Sequence, residues 1–233
     1  MDKPLCIVAG VGPGNGLAFC KKFLEEGYRV AILARSLERM KEYSSVSDDV
    51  YPFSCDLSDS NDIKNSFSEI HTSLGVPSVV IYNAGSALFG TPMDVSPEDF
   101  EGAWKLNVLG LLTVSKIVAP LMKKNGGGSI LVTGATASLR GGAMFAAFSS
   151  AKAAQRNLAQ SLARSLGSEG IHVALVIIDG VIDIPITREF FPSKPDTFFL
   201  QSNAIAETYY NLSQQHSSAW TFEIDLRTNC EEW

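Results

Sequence analysis

Leu5-Cys6-Ile7-Val8-Ala9-Gly10-Val11-Gly12-Pro13-Gly14-Asn15-Gly16 is the stretch from which the fold is read. Its first five residues are an unbroken apolar run, as in a strand covered on both faces. Glycine then recurs at positions 10, 12, 14 and 16, and residues 16–26 carry a helical pattern. A strand, a glycine-rich turn and a helix N-terminus in succession make an anion site. The glycines permit tight turning and close backbone approach, and the unpaired N–H groups of the first helical turn face the anion. A glycine cluster alone is weak; one lying between a first strand and a helix has the context that a phosphate-binding turn requires.

Outward from this stretch, short β-rich runs at 29–34, 50–54, 78–82, 129–133, 172–178 and 219–226 alternate with helical patterns at 37–43, 60–74, 97–124, 148–167 and 197–216. One helix start is well marked: Ser96 suits an N-cap, Pro97 the first helical position, and Glu98 and Asp99 the positive end of the helix dipole. Strands alternating with helical crossovers predict an α/β fold, a doubly wound, seven-stranded parallel sheet of the Rossmann type. Residues 1–233 then form a single domain. Ligands of such sheets bind at the carboxyl ends of the strands near the switch point, so the residues just after each strand are the candidates.

After the second strand comes Arg35, with Arg39 one helical turn on. An acidic residue here would favour NAD, whereas a basic one favours the 2′-phosphate of NADP. The alternative is an arginine solvated at a helix start. Asp56 follows the third strand, where it could accept from an adenine amine or cap the next helix. Asn83-Ala84-Gly85 follows the fourth.

Composition narrows the class. The chain has 19 Lys and Arg against 25 Asp and Glu, a net charge of −6, which disfavours nucleic-acid backbones and anionic membranes. Cys6, Cys20, Cys55 and Cys230 show neither metal-ligand spacing nor the density of a disulfide framework. The N-terminal apolar run is too short for a signal sequence, and no run approaches the roughly 20 apolar residues of a membrane span. The expectation is a cytoplasmic protein acting on a small molecule. His71, His172 and His216 are scattered and form no metal or triad pattern.

These residues together resemble the short-chain dehydrogenase/reductase (SDR) family over nearly the whole chain. The family's opening Thr-Gly-x-x-x-Gly-x-Gly falls on Ala9, Gly10, Gly14 and Gly16, with Ala in place of Thr and Asn15 inside the turn. Its Asn-Ala-Gly matches Asn83, Ala84 and Gly85, and its active-site Asn matches Asn107. The resemblance implies an oxidoreductase using NADP(H), with NAD less favoured, that moves hydride between the cofactor and a carbonyl or alcohol. It also implies a homodimer or homotetramer, a cofactor contact at Ile182 and a short substrate lid near residues 186–200.

The active-site motif departs from the family's. Tyr-x-x-x-Lys reads Phe148-Ser149-Ser150-Ala151-Lys152, and the serine 13 residues before the tyrosine is Ala135. Pro-Gly after the sixth strand reads Asp179-Gly180, and the Thr beyond it is Ile184. Of the family's catalytic positions, Asn107 and Lys152 remain while Phe148 and Ala135 are changed, which resembles a divergent subgroup. In the family the Tyr moves the proton, the Ser polarises the substrate oxygen, and the Lys binds the nicotinamide ribose. Phe148 has no proton to give and Ala135 no hydrogen bond. Losing a general acid costs ~10²–10⁴ in rate and losing an oxyanion donor a similar factor.

Three replacements suggest themselves: Thr136 beside Ala135, if the loop shifts, and the carboxylates Asp179 and Asp183, for which the alternative is a loop carboxylate capping a backbone N–H. Ser149 and Ser150 point away from the direction of Phe148 on a helix. Arg140 could bind an anionic group or sit in solvent, and Phe145, Phe148, Phe190, Phe191, Phe198 and Phe199 could line an apolar pocket or simply pack. Alternatives to an active oxidoreductase are a catalytically silent NADP(H)-binding protein, as sensor or partner subunit, and non-redox catalysis in the same pocket.

Overall fold

The computed structural model describes residues 3–86 and 88–230, the side chains of Arg39 and Glu42 excepted. In chain order the elements are β1 (Leu5–Ala9), α1 (Asn15–Glu25), β2 (Arg29–Ala34), α2 (Leu37–Ser44), β3 (Val50–Ser54), α3 (Ser60–Leu74), β4 (Val79–Tyr82) and α4 (Pro97–Trp104). A π turn (Lys105–Leu109) leads into α5 (Gly110–Lys124), β5 (Gly128–Ala135), α6 (Ala146–Leu166) and β6 (Ile171–Ile178). The chain ends with β7 (Val181–Ile182), α7 (Pro185–Phe190), β8 (Phe199–Leu200), α8 (Ser202–Ser213) and β9 (Glu223–Leu226).

The main sheet has seven strands in the order β3-β2-β1-β4-β5-β6-β9, every adjacent pair parallel. Side chains of β1 alternate between the two faces. Leu5, Ile7 and Ala9 join a core with Ile63 and Phe67 of α3 and Leu111 and Val114 of α5. Cys6 and Val8 join the opposite core with Phe19 and Phe23 of α1 and Ile205 and Tyr209 of α8. Both faces are covered, so the doubly wound sheet read from the sequence is the fold observed. The winding reverses between β1 and β4, and their ends, Ala9–Gly10 and Tyr82–Asn83, open the crevice.

Three differences from the sequence expectation have local causes. The helix expected over 97–124 is interrupted by the π turn, where the side chain of Asn107 donates to the Ala103 carbonyl at 2.9 Å. Carbonyls in such a turn need new partners, and Tyr82 Oη takes that of Leu106 while Gln155 Nε2 takes that of Asn107. Next, α8 begins at Ser202 rather than Thr197, because residues 199–200 pair with β7 in a two-stranded sheet. Finally, Pro97–Lys124 has the length and, over an 18-residue window of mean hydropathy 1.4, the apolarity of a membrane span, against the expectation of none. Half of that window is buried, and Leu111, Val114, Val118 and Met122 pack in the sheet's own core.

Candidate functional site

At the carboxyl end of the sheet lies a cleft of about 1180 Å³. It runs from Arg35 and Asp56 past the glycine turn to Ala135, Phe148 and Lys152. No side chain caps the N-terminus of α1 and no acidic residue occupies its first turn, which leaves a positive helix end facing the cleft. The turn is braced from below: Gly10 N–H and Val11 N–H both donate to the Leu33 carbonyl, at 3.0 and 2.9 Å. It is braced from the side as well. A side chain at Gly14 would meet Ile184 at 2.7 Å and Ile182 at 3.7 Å, so the segment after β6 closes over the turn. Asn15 is buried with its Oδ1 unpartnered.

At one end of the cleft, Arg35 is exposed and makes no ion pair among the described residues. Asp56 is held by the Ser58 hydroxyl at 2.6 Å and the Ser58 N–H at 2.9 Å. These bonds, with a smaller contribution from Arg35, lower its carboxyl below the ordinary range. Asp56 does not cap α3, because Asp59 does. The side chain of Arg39 lies outside the described residues.

In the middle, Asn83 Nδ2 donates to the Gly10 carbonyl at 2.8 Å, and Thr133 Oγ1 donates to Asn83 Oδ1 at 3.0 Å. Thr133 thereby spends its single proton, so Tyr209 of α8, 2.8 Å away, must donate to it. This buried chain ties three elements to the first turn. Ala84 and Gly85 continue from Asn83 along the cleft wall.

At the other end, Lys152 is only 4% exposed. Its ammonium donates to the Thr133 carbonyl at 2.8 Å and to Gln155 Oε1 at 2.9 Å. A side chain at Gly85 would lie 3.3 Å from Lys152 Nζ and 3.4 Å from Asn107 Oδ1, so these two groups meet at one point. Asn107 is fully buried and its Oδ1 has no partner. Phe148 sits one helical turn before Lys152, its ring centroid 6.0 Å from Nζ. Burial, with no charge close enough to oppose it, pushes the Lys152 amine down to about 7.

Several expected groups point elsewhere. Thr136 lines the cleft, but its hydroxyl donates to Asp179 Oδ1, and Asp179, itself outside the lining, also pairs with Arg227 at 3.2 Å. Asp183 is gripped by Arg188 at 2.7 and 2.8 Å and by Gln201. Those bonds lower its carboxyl to about 2, so it stays ionised and is no proton donor. Ser149 and Ser150 donate back to the carbonyls of Phe145 and Ala146. Phe145 and Phe148 line the cleft, whereas Phe190 is 69% exposed and Phe198 packs against Phe191 and Phe199. Arg140 lines the cleft mouth.

Sequence reasoning missed Gln155, Thr133 and Tyr209. Gln155 stands one turn after Lys152, a spacing that places it on the same helix face. The other two carry no local signal.

The chain is similar to known proteins in ways that bear on this geometry. Residues 5–194 match the family model for short chain dehydrogenases. An uncharacterized short-chain type dehydrogenase/reductase of Sinorhizobium fredii is 32% identical over 186 residues, 76% of this chain and 72% of that protein. A short-chain dehydrogenase structure from Rhodopseudomonas palustris superposes with a TM-score of 0.82 at 30% identity, covering 97% of this chain and 99% of that one. An NADPH-bound short chain oxidoreductase from Pseudomonas aeruginosa, described as containing an atypical catalytic center, shares the fold with a TM-score of 0.89 at 20% identity, covering 99% and 97%.

Proposed function

Because the chain belongs to the short chain dehydrogenase family, we propose that it is an NADP(H)-dependent oxidoreductase of a divergent subgroup, with Phe148 and Ala135 where the family has Tyr and Ser. The observation that carries the reading is the unbroken cleft joining an unpaired arginine, an uncapped helix end and a buried lysine. These residues fit a dinucleotide. The N–H groups around Gly14, Asn15 and Gly16 hold the diphosphate, over a turn that Gly10 anchors to β2. Arg35 takes the 2′-phosphate and Asp56 the adenine amine. Asn83, Ala84 and Gly85 would form the wall, and Lys152 and Ile182 would border the nicotinamide end. When bound, the nicotinamide supplies or accepts a hydride. The NADPH held by the Pseudomonas aeruginosa protein of the same fold supports the choice of cofactor. A second reading, binding without turnover, is favoured by the missing hydroxyls at Ala135 and Phe148.

Titrating the protein with NADPH and NADH by fluorescence tests the cofactor. Arg35→Asp is expected to weaken NADPH by ~30–100-fold, the loss of one charge-assisted phosphate contact, and to change NADH less than threefold. Equal effects on both would remove Arg35 from the 2′-phosphate. Tight NADPH binding with no reduction of any carbonyl in a broad panel would decide for the silent protein.

We also propose a cytoplasmic home and self-association. Cys6, Cys20 and Cys55 are buried free thiols, suited to a reducing compartment. Phe100 (42%), Trp104 (39%) and Leu109 (40%) leave an apolar stripe exposed on α4 and the π turn, the kind of surface that pairs helices between copies. On a sizing column the wild type is expected at a multiple of 25.1 kDa, and Trp104→Glu is expected to shift it towards monomer.

A further inference from the structure

We propose that Lys152 is itself the proton donor to the substrate oxygen, taking over the step that the missing hydroxyls leave open. The inference rests on the oxidoreductase reading above and on an elimination among the groups around Ala135 and Phe148.

Most hydroxyls described nearby are committed inward. Ser138 donates to the Ala135 carbonyl, Ser149 to Phe145, Ser150 to Ala146 and Thr136 to Asp179. Thr133 is spent on Asn83 and Tyr82 on Leu106. Ser86 and Arg140 also line the cleft, but an alcohol and a guanidinium do not release protons near neutral pH. Glu98 and Asp99 line it at the exposed first turn of α4, where Asp99 accepts from Ser96 Oγ at 2.9 Å. Lys152 remains. An ammonium has three N–H bonds, of which two are used, and the nitrogen lies 6.0 Å from the Phe148 ring centroid and 3.3 Å from where a side chain at Gly85, a cleft residue, would sit. Ala135, Phe148 and Lys152 line the same end of the cleft, so the lysine stands beside the space a substrate carbonyl would take.

The groups facing the amine are Thr133 of β5, Asn107 of the π turn, Gly85 of the β4 turn, and Phe148 and Gln155 of its own helix. None of them titrates near neutral pH. Burial alone shifts the amine to about 7, where it gives up a proton readily and regains it. In the step, the substrate carbonyl carbon accepts a hydride from a reduced nicotinamide dinucleotide and its π electrons move to the oxygen. That oxygen takes a proton from Lys152 Nζ. The neutral amine is reprotonated by water.

The test measures kcat for 4-nitrobenzaldehyde at saturating NADPH against pH, in wild type, Lys152→Met and Lys152→Arg. Wild-type kcat is expected to fall above about pH 7 as the amine loses its proton. Lys152→Met is expected to lose ~10²–10⁴-fold, and Lys152→Arg to lose the inflection. A readout independent of turnover is thermal stability against pH. The folded-state value lies below the unfolded one, so the unfolded chain binds the extra proton between about 7 and 10.5, and wild-type stability gains from this group as pH rises through that window. The melting-temperature advantage of Lys152→Met over wild type should therefore shrink from pH 7 to pH 10. An advantage that stays constant overturns the proposal. So does a Lys152→Met kcat within threefold of wild type, or an inflection that survives in Lys152→Arg but disappears in Glu98→Gln. NADPH binding without reduction of the aldehyde or of a wider carbonyl panel also overturns it, while leaving the cofactor site standing. Absence of NADPH binding overturns the oxidoreductase reading itself.

Discussion

Phe148→Tyr combined with Ala135→Ser is expected to raise kcat/KM for NADPH-dependent carbonyl reduction by ~10²–10⁴. Both side chains line the cleft, so each new hydroxyl enters the space where a substrate oxygen would lie. The Phe148 ring is already 6.0 Å from the Lys152 ammonium. A phenol on that ring brings its oxygen towards a cation, which favours the phenolate and makes the phenol a better acid at neutral pH. The serine adds a hydrogen bond to the developing oxyanion. Neither change enlarges a buried side chain greatly, because both positions are partly open. Steady-state kinetics on the two single variants and the double variant check the result, with the double exceeding either single. The pH profile should change as well, since the proton would then come from the phenol rather than the lysine. A double variant no faster than wild type would mean that substrates do not approach this end of the cleft.

Gly10→Ala is expected to abolish NADPH binding and to destabilise the protein by about 3 kcal/mol, within the range for overpacking combined with a left-handed backbone. Gly10 has φ of +99°, and a Cβ there would lie 2.6 Å from Ala84 N and 2.7 Å from Ala84 Cα. Those are backbone atoms, so no rotamer change relieves the clash. Ala84 N–H in turn donates to the Ala9 carbonyl at 3.0 Å, and Asn83 N–H donates to the same carbonyl at 2.9 Å. Separating the two turns would break both bonds and the Asn83 side-chain bond to the Gly10 carbonyl. For a domain of this size the loss corresponds to a melting temperature lower by roughly 6–12 °C. Gly12→Ala is the control: a Cβ there meets nothing within 4 Å, so its stability should be near wild type. Denaturant midpoints and NADPH titrations on both variants distinguish a crowded turn from a generally fragile one.

Much of this was legible in one dimension. The continuous apolar runs and the glycine turn yielded the sheet and its ligand-bearing edge, because burial on both faces leaves no alternation to misread. Asn107, Phe148 and Lys152 were singled out by the resemblance to the short-chain dehydrogenase/reductase motifs, not by any local signal of their own. What the chain did not disclose was pairing across the fold. Asp179 looked like a carboxylate near the reaction and proves to be turned towards Arg227, 48 positions downstream. Asp183 looked like another and is held by Arg188 and Gln201.

The sequence by itself determined the order of the elements and the glycine-rich turn between the first strand and helix, since these follow from local periodicity and residue chemistry. Only the tertiary structure decided what surrounds Lys152. Its carbonyl partner comes from β5, the unpartnered Asn107 oxygen from a π turn, and the amide that holds it from Gln155. Burial and electrostatics depend on every neighbour at once, and apart from Phe148 and Gln155 of its own helix those neighbours are far apart along the chain. That is why an ordinary lysine in the sequence becomes, in the fold, an amine that titrates near neutral pH.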